Sequence, residues 1–484
     1  MTVSNVTIDV CYIISHGFAA RMLLQTGLIT RLTEEGKHIA IITPDATDEN
    51  LRAIAANPRV HIYDPAIEQT IWDDDYGVKR MYYLEDIKSN PVFWEKHLYS
   101  ILYSKSIHPW KRIRPFIYYP IHRLIPYFPS IRRRFKQTES TYLFSEKSAV
   151  LLAKIKPALV VSTYPINFLE AKFLFAAKQQ KIPTLIHLLS WDNITSKGIF
   201  PVIPDQFIVW GKVMYDELKE YYGTADEDIH ICGVPHFDHH IAVKHHPNYE
   251  DLLTELGLNP DLPYLFFAMS SPRFAPHEID IVEWLAEAIG KDIFGKRMQL
   301  IVRPHPQNVQ GSLADKKWIK RLDALNGKRV AIDYPKLHSS KVRWSMQKSD
   351  MTRLSNLLVG CSVCLNSGST VSIDALVFGK PVILTSFDGD RQLYYWKSAR
   401  RLVDYPHQKK FVAMGGAKVV YDYDDLKKTI LRYLTDPAYD QRQRQYALEQ
   451  ECYANDGQAT ERVIVAMLNI LEKTELGYEK IGIG

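Results

Sequence analysis

The stretch Cys361-Ser-Val-Cys-Leu-Asn-Ser-Gly-Ser-Thr-Val-Ser-Ile-Asp-Ala-Leu-Val-Phe-Gly379-Lys-Pro-Val-Ile-Leu384 packs a strand, a turn, a helix and a second strand into 24 residues. Ser362 to Leu365 is an apolar run suited to a strand buried on both faces. Ser369 to Phe378 has the composition of a short helix, closed by Gly379 before the next strand, Val382 to Thr385. That order is the repeating unit of a doubly wound parallel sheet. The first-turn N–H groups of the helix, with the hydroxyls of Ser367, Ser369 and Thr370 around Gly368, form an expected cradle for a phosphate or pyrophosphate. Asp374, one turn further in, is expected to accept from ribose hydroxyls. Small hydroxyl residues also start helices that bind nothing, so this stretch alone leaves both readings open.

The same alternation extends in both directions. Thr7 to Ser15 reads as a strand, His16 to Ala20 as a tight loop, and Arg21 to Glu35 as a helix with Leu24, Leu28 and Leu32 at helical intervals. Gly36 closes that helix and His38 to Thr43 is the next strand. Ala158 to Ser162, Thr184 to Ser190, Gln206 to Trp210 and Ile229 to Gly233 continue the series. A second series starts at Tyr264 to Met269 and includes Gln299 to Arg303, and a helix over Gln441 to Leu471 finishes the chain. The pattern predicts an α/β protein of two doubly wound Rossmann-like domains, residues 1–240 and 241–484, facing across a cleft. The His-rich stretch from His236 to Asn248 reads as the linker.

Composition agrees with a globular chain. Hydrophobic residues make up 46% and charged residues 24% of 484, too long a chain for one ordinary core. No apolar run approaches the roughly 20 residues of a membrane-spanning helix, and Met1 to Val10 lacks the features of a signal peptide. Five cysteines, Cys11, Cys232, Cys361, Cys364 and Cys452, fit a reducing compartment, and a cytoplasmic protein is expected.

The net charge of +5 is local in origin. Residues 97–138 contain no Asp or Glu, while Lys105, Lys111, Arg112, Arg114, Arg123, Arg132, Arg133, Arg134 and Lys136 supply nine cations. Without them the balance of 60 basic to 55 acidic residues becomes 51 to 55. Prolines 109, 115, 120, 126 and 129 exclude one long helix, so the segment is expected to be an insertion in the first domain. It interleaves those cations with Tyr99, Tyr103, Trp110, Phe116, Tyr118, Tyr119, Tyr127, Phe128 and Phe135. Such a mixture suits stacking on single-stranded nucleic acid or docking on an anionic leaflet, and is also compatible with an ordinary solvated surface.

Two more loops join the phosphate cradle at successive strand ends. Arg303-Pro-His305-Pro306 presents a cation and an imidazole, and Met269-Ser-Ser271-Pro-Arg273 presents Ser271 and Arg273. Ligands of open α/β sheets bind at that edge, and three such loops point to an anionic ligand. In the first domain, Ser15-His16-Gly17 ends the first strand, with His16 placed as a general base and Gly17 beside the acceptor. Ser190-Trp191-Asp192-Asn193-Ile-Thr-Ser-Lys197 offers an aromatic face, a carboxylate, an amide and a cation, so Trp191, Asn193 and Lys197 are expected acceptor contacts and Asp192 the second choice of base.

These motifs resemble the nucleotide-binding half of GT-B glycosyltransferases and of the related UDP-N-acetylglucosamine 2-epimerases. The resemblance rests on Arg303-Pro-His305-Pro306, on Asn366-Ser-Gly-Ser-Thr370 with Asp374 and Gly379-Lys-Pro, and on Ile231-Cys-Gly-Val-Pro235. It implies that His305, Ser367, Ser369 and Thr370 hold donor phosphates and that Asp374 meets the ribose, although many relatives carry Glu at that place. The His-Pro and Ser-rich pair also looks like bacterial sialyl- and Kdo-transferases with CMP donors, and like transferases using CDP-glycerol. Beside such a site the basic segment, residues 105–136, reads as a dock for an anionic membrane surface where lipid-linked glycans are presented, and not as a nucleic-acid site. The expected activity is sugar transfer from a nucleotide-activated donor to a glycan or lipid-linked glycan at the inner membrane face, as part of surface polysaccharide synthesis. Its rivals are a nucleotide-sugar 2-epimerase and a non-catalytic nucleic-acid-binding protein. No cofactor and no metal is expected: Trp72-Asp-Asp-Asp75 reads as a solvated turn, Cys361 and Cys364 point to opposite faces of a strand, and the clustered histidines read as linker.

Overall fold

Val10-Cys-Tyr-Ile13 has no charged side chain and four of four residues buried, as a strand covered by helices on both faces must be. It is β1, the third strand of a seven-stranded parallel sheet ordered β3-β2-β1-β4-β5-β6-β7. The other members are β2 (Ile39–Ile42), β3 (Val60–Tyr63), β4 (Leu159–Ser162), β5 (Thr184–His187), β6 (Gln206–Val209) and β7 (Ile229–Ile231). A second parallel sheet, ordered β10-β9-β8-β11-β12-β13, comprises β8 (Tyr264–Ala268), β9 (Gln299–Arg303), β10 (Val330–Ile332), β11 (Val363–Asn366), β12 (Val382–Thr385) and β13 (Lys418–Val420). The computed structural model describes residues 7–65, 124–309, 315–327, 329–338 and 345–481, with 67, 80, 110, 112, 113, 116, 117 and 120. In both sheets the strand order reverses direction once, between β1 and β4 and between β8 and β11. The expected pair of doubly wound α/β units is present.

Each sheet centres its own unit. The first unit comprises residues up to Cys232, Ser345 and the chain from Thr460 onward, and the second Gly233–His338 and Met346–Ala459. The expected boundary at residue 240 is therefore displaced, and the last helix, Ala459–Ile481, belongs largely to the first unit. Val463, Ile464, Met467, Ile470 and Leu471 are its buried residues. The Tyr12 hydroxyl donates to Met467 Sδ at 3.0 Å and Arg462 Nε to the Cys232 carbonyl at 2.9 Å. The helix expected over Gln441 to Leu471 is two helices, because Tyr453 and Gly457 take φ of 59° and 78° between Gln441–Cys452 and Ala459. The second unit's core gathers Leu265, Phe267, Leu285, Leu300, Leu365 and Ile383 from strands and the helix Glu278–Gly290.

Residues 235–245 correct another expectation. Pro235–His245 is a helix starting with proline at its first turn, with Pro235, His236, Phe237, His240 and Val243 buried, and not a polar linker. In the basic segment, proline again starts a helix, Pro129–Leu143, which carries Arg132, Arg133 and Arg134 in its first turns. The buried pair of Arg80 and Glu139 fixes that helix, with Arg80 Nη1 also donating to the Ile199 carbonyl at 2.7 Å. Trp72–Asp75, Lys105, Lys111, Arg114, Arg123, Tyr99, Tyr103, Tyr118 and Tyr119 lie outside the described residues. No helix among the described residues is long and apolar enough to cross a membrane.

Packing is close where the helix Lys348–Gly360 meets β8. A Cβ on Gly360 would stand 2.6 Å from both Tyr249 Cδ2 and the Tyr264 hydroxyl, which itself donates to the Leu357 carbonyl at 2.7 Å. Gly290, the last residue of its own helix, has open space at the same place. Urea unfolding should therefore show Gly360→Ala less stable by about 1–3 kcal/mol, with Gly290→Ala near the parent.

Candidate active site

The point where strand order reverses leaves a crevice at the carboxyl ends of the central strands, and ligands of open α/β sheets bind there. In the second unit the flanking loops are Met269–Ala275 after β8 and Ser367–Thr370 after β11. Asn366, the buried last residue of β11, shapes the latter: its Oδ1 accepts the N–H groups of Gly368 at 2.8 Å and Ser369 at 2.7 Å. Its Nδ2 donates to Ser372 Oγ at 2.9 Å. Gly368 takes φ of 96°, and a Cβ there would meet Leu402 and Gln408, so this turn needs glycine. Two N–H groups expected to be open for phosphate are thus held by the protein, while Ser369 and Thr370 remain half-buried at the turn.

Several expected donor contacts are placed otherwise. Ser367 is buried and shares a 2.8 Å hydrogen bond with Thr385. Arg303 is buried in ion pairs with Asp333 and, at 2.6 Å, with Asp350, so its charge is consumed in the core. Asp374 is buried and lies 2.8 Å from His240 Nε2. Ser271 is buried in its own turn, accepting the Phe274 N–H on its carbonyl at 2.8 Å, and Arg273 is half-buried beside it. His305 is half-buried. Its Nδ1 accepts the Gln307 N–H at 3.1 Å, which leaves the hydrogen on Nε2, and burial pushes its pKa down to about 4. It is a neutral N–H donor.

Sequence reasoning missed the polar groups behind these loops. Buried side-chain atoms without a hydrogen-bond partner, among the described residues, include Gln307 Oε1, Asn308 Oδ1, Ser386 Oγ and both amide atoms of Gln408. Gln307 and Asn308 follow β9 and Ser386 follows β12, while Gln408 reaches Gly368 from the helix Pro406–Ala413. Buried polar groups are normally satisfied, so these atoms are where this sheet edge has hydrogen-bonding capacity left over. Glu278 was missed as well. It is buried at the start of its helix and accepts the Ser270 N–H at 2.6 Å, next to Ser367. Burial pushes its carboxyl up to about 8, against the pull of Ser367 and the Ser270 N–H.

The first unit has a matching edge. Glu170, wholly buried, accepts from Ser15 Oγ at 2.5 Å, Ser15 N at 3.2 Å, Ser162 Oγ at 2.7 Å, and the N–H groups of Thr163 and Tyr164 at 2.8 Å each. It thereby ties the loop after β1 to the loop after β4. His16 stands on the first loop, its ring 5.3 Å from that of Tyr164 on the second. His16 Nδ1 accepts the Phe18 N–H at 3.2 Å, so the ring offers an Nε2–H, the opposite of what a general base at Nε2 requires. Asp192 accepts from Ser190 Oγ at 2.7 Å, Ser196 Oγ at 2.9 Å and Lys197 Nζ at 2.8 Å. Both Asp192 and Lys197 act electrostatically on the Tyr164 hydroxyl, whose pKa is raised chiefly by burial. The structure thus brings His16, Tyr164, Asp192 and Lys197 together. It does not present Trp191 or Asn193 to a sugar: both are buried, as is Gly17.

No protein-family model matches this sequence, and neither does any curated protein. Solved structures do match along the whole chain. A protein named as a UDP-N-acetylglucosamine 2-epimerase from Listeria monocytogenes is 13% identical with a TM-score of 0.57, covering 97% of this chain and 98% of its own. The UDP-GlcNAc 2-epimerase of Neisseria meningitidis, bound to UDP-GlcNAc, is 12% identical with a TM-score of 0.53, covering 95% and 99%. The MnaA–UDP structure from S. aureus is 13% identical with a TM-score of 0.52, covering 96% and 97%. What is shared at such identity is the fold, and it is the GT-B type: two Rossmann-like units with parallel sheets.

The buried Glu278 makes stability fall with pH. Its folded pKa, about 8, lies above the ordinary value of 4.5, so between those values the folded chain holds a proton that the unfolded chain releases. Stability is full below about 4.5 and declines as pH rises through 8. Glu278→Gln, which keeps an acceptor for Ser270, should raise the melting temperature at pH 8 and leave it nearly unchanged at pH 4.5, as calorimetry at the two values will show.

Proposed function

We propose that this chain is a metal-independent glycosyltransferase that moves a sugar from a nucleotide-activated donor to a glycan or lipid-linked glycan acceptor, in surface polysaccharide synthesis. The observation that carries the transferase reading is an apolar and cationic surface in the basic segment. Trp110, Phe116 and Tyr127 are 70, 60 and 63% exposed, and Ile113, Ile117, Leu124, Phe128 and Ile131 are exposed with them. Arg133, Arg134 and Lys136 are exposed on the adjoining helix. Monomeric proteins seldom leave so many large apolar side chains in water without a partner. Aromatic rings at headgroup level beside arginines suit an anionic leaflet, the place of a lipid-linked acceptor at the inner face of the membrane. An enzyme acting only on a small free nucleotide sugar has no need of such a surface.

The donor belongs to the second unit. His305 Nε2–H, Ser369 and Thr370 supply neutral hydrogen-bond donors to the phosphates, with Arg273 as the half-buried cation of that edge. Solved structures of the same fold carrying UDP or UDP-GlcNAc support a nucleotide-sugar ligand. The acceptor belongs to the first unit, whose His16, Tyr164, Asp192 and Lys197 supply the acid–base groups. An acceptor hydroxyl oxygen forms the new bond to the anomeric carbon, the carbon–phosphate oxygen bond breaks, the nucleoside diphosphate or monophosphate leaves, and the hydroxyl proton passes to a base. With Nδ1 accepting the Phe18 N–H, a neutral His16 donates from Nε2, so Asp192 is the better base and His16 a hydrogen-bond donor to the acceptor.

A second reading, a nucleotide-sugar 2-epimerase, is favoured by the names of the solved structures that share the fold. The two part on a single measurement. With a nucleotide sugar alone an epimerase forms a new sugar isomer, whereas a transferase leaves it unchanged until a glycan acceptor is added. Epimer formation without acceptor would overturn the transferase reading.

Residue predictions follow the same division. His305→Ala and Ser369→Ala should each weaken nucleotide binding by roughly 1–3 kcal/mol in calorimetric titration. Asp192→Asn should slow transfer by about 10²–10⁴-fold with donor binding retained. If His16→Ala shows that loss and Asp192→Asn does not, the base is His16.

Replacing Arg132, Arg133 and Arg134 by Ser should reduce binding to anionic vesicles and transfer to a lipid-linked acceptor, at about 1 kcal/mol per cation near the surface. Transfer to a short water-soluble acceptor should stay close to the parent. Equal loss on both acceptors would remove the membrane role.

A further inference from the structure

Three side chains of the second unit converge away from the loops that the transfer chemistry uses. His236 and His240 lie on the helix Pro235–His245 and Asp374 on the helix Val371–Val377. All three are buried, and one ligating atom from each lies within 4.8 Å of the others. His240 Nε2 stands 2.8 Å from Asp374 Oδ1, and His236 Nε2 stands 3.8 Å from the same oxygen.

The hydrogen bonds of Ser355 fix where a neutral His240 carries its hydrogen. Ser355 Oγ donates to the Met351 carbonyl at 2.8 Å, so toward His240 Nδ1, also 2.8 Å away, it can only accept. A neutral His240 then carries its hydrogen on Nδ1 and turns the Nε2 lone pair onto a carboxylate oxygen. Two lone pairs facing each other in a dry interior repel, and a positive centre is needed between them. A proton would satisfy the pair as an ordinary ion bridge. It would not explain why a second buried imidazole is directed at the same oxygen.

We propose that His236, His240 and Asp374 form a binding site for a divalent cation of borderline softness, zinc being the ion whose preference for imidazole and carboxylate fits best. Metal–ligand bonds of about 2.0–2.2 Å place ligand atoms roughly 3–3.5 Å apart around a tetrahedral ion. The two imidazole–carboxylate separations of 2.8 and 3.8 Å bracket that spacing, and all three ligand atoms lie within 4.8 Å of one another. Ser355 is the outer partner that fixes the His240 tautomer, as the second N–H of a metal-bound histidine requires. Phe237 and Phe378, with ring centroids 5.1 and 5.3 Å from His240, supply an apolar shell. Such an ion would pin the helix that opens with Ser369 and Thr370 to the helix that opens the second unit. The inference stands independently of the proposed transferase activity.

The test uses the full chain stripped with a chelator, then titrated with zinc alone by calorimetry and with cobalt(II) alone by visible absorption. The parent should take up one equivalent of each, give cobalt bands of tetrahedral intensity, and unfold at a higher temperature with zinc. His236→Gln keeps the His240–Asp374 contact and therefore the fold, and should weaken zinc binding by at least about tenfold. His246→Gln, at an exposed position, should bind as the parent does. The proposal is overturned if the stripped parent takes up no equivalent, if His236→Gln binds zinc as tightly as the parent, or if His246→Gln abolishes the uptake.

Discussion

Both units depend on a carboxylate buried where the strand order reverses. A parallel sheet that winds outward in both directions leaves its two central loops with no strand between them, and something has to hold them. Glu170 does so in the first unit, taking hydrogens from Ser15 on one loop and from Ser162, Thr163 and Tyr164 on the other. Glu278 holds the Ser270 N–H in the second, beside Ser367 of the opposite loop. A buried carboxylate is expensive unless its lone pairs are filled. Glu170 meets that cost with five hydrogen bonds of 3.2 Å or less, whereas Glu278 has fewer donors and its pKa is pushed up to about 8.

The alternation of apolar runs with helical segments made the two-unit architecture legible, because strands buried on both faces cannot be mistaken for half-solvated ones. β1, β8, β11 and β12 are of that kind, wholly buried and rich in branched aliphatic or aromatic residues. Of the four outer strands only β7 was legible. β3, β10 and β13 are three or four residues long and partly exposed, and the first residue of β13 is a lysine, so no run marks them. The C-terminal helix was assigned to the wrong unit for a related reason. Its amphipathic pattern shows that one face is buried, but a pattern on a helix does not say which sheet covers it.

Within the site, residue type was a better guide than role. Arg303, Ser367 and Asp374 stand at the strand ends where the motifs put them, yet each is claimed by the core: Arg303 by Asp333 and Asp350, Ser367 by Thr385, Asp374 by His240. Their partners lie 18 to 134 residues away in the chain, and no local spacing encodes such distances. Glu170 was hidden differently. With Asn167 capping its helix and Glu170 three residues on, the pattern is that of a capping box, and nothing in it announces five donors from two other loops.

The arginine lost to the core changes what the donor site can do. Arg303 bridges two carboxylates, Asp333 is shared with Arg353, and Arg353 continues to Glu255 at 2.9 Å, so the whole chain of charges is spent on joining β9 to the helices beneath it. Removing one partner from such a buried network is costly because the remaining charges stay behind unpaired. What is left at the edge is mostly neutral: a histidine whose pKa burial lowers, two hydroxyls and the uncommitted amide of Gln408 beside Gly368, with the half-buried Arg273 as its cation. Neutral donors preorganised on a rigid sheet edge bind an anion by replacing its water with fixed dipoles. An affinity built in this way is less sensitive to salt than one built on lysines and arginines.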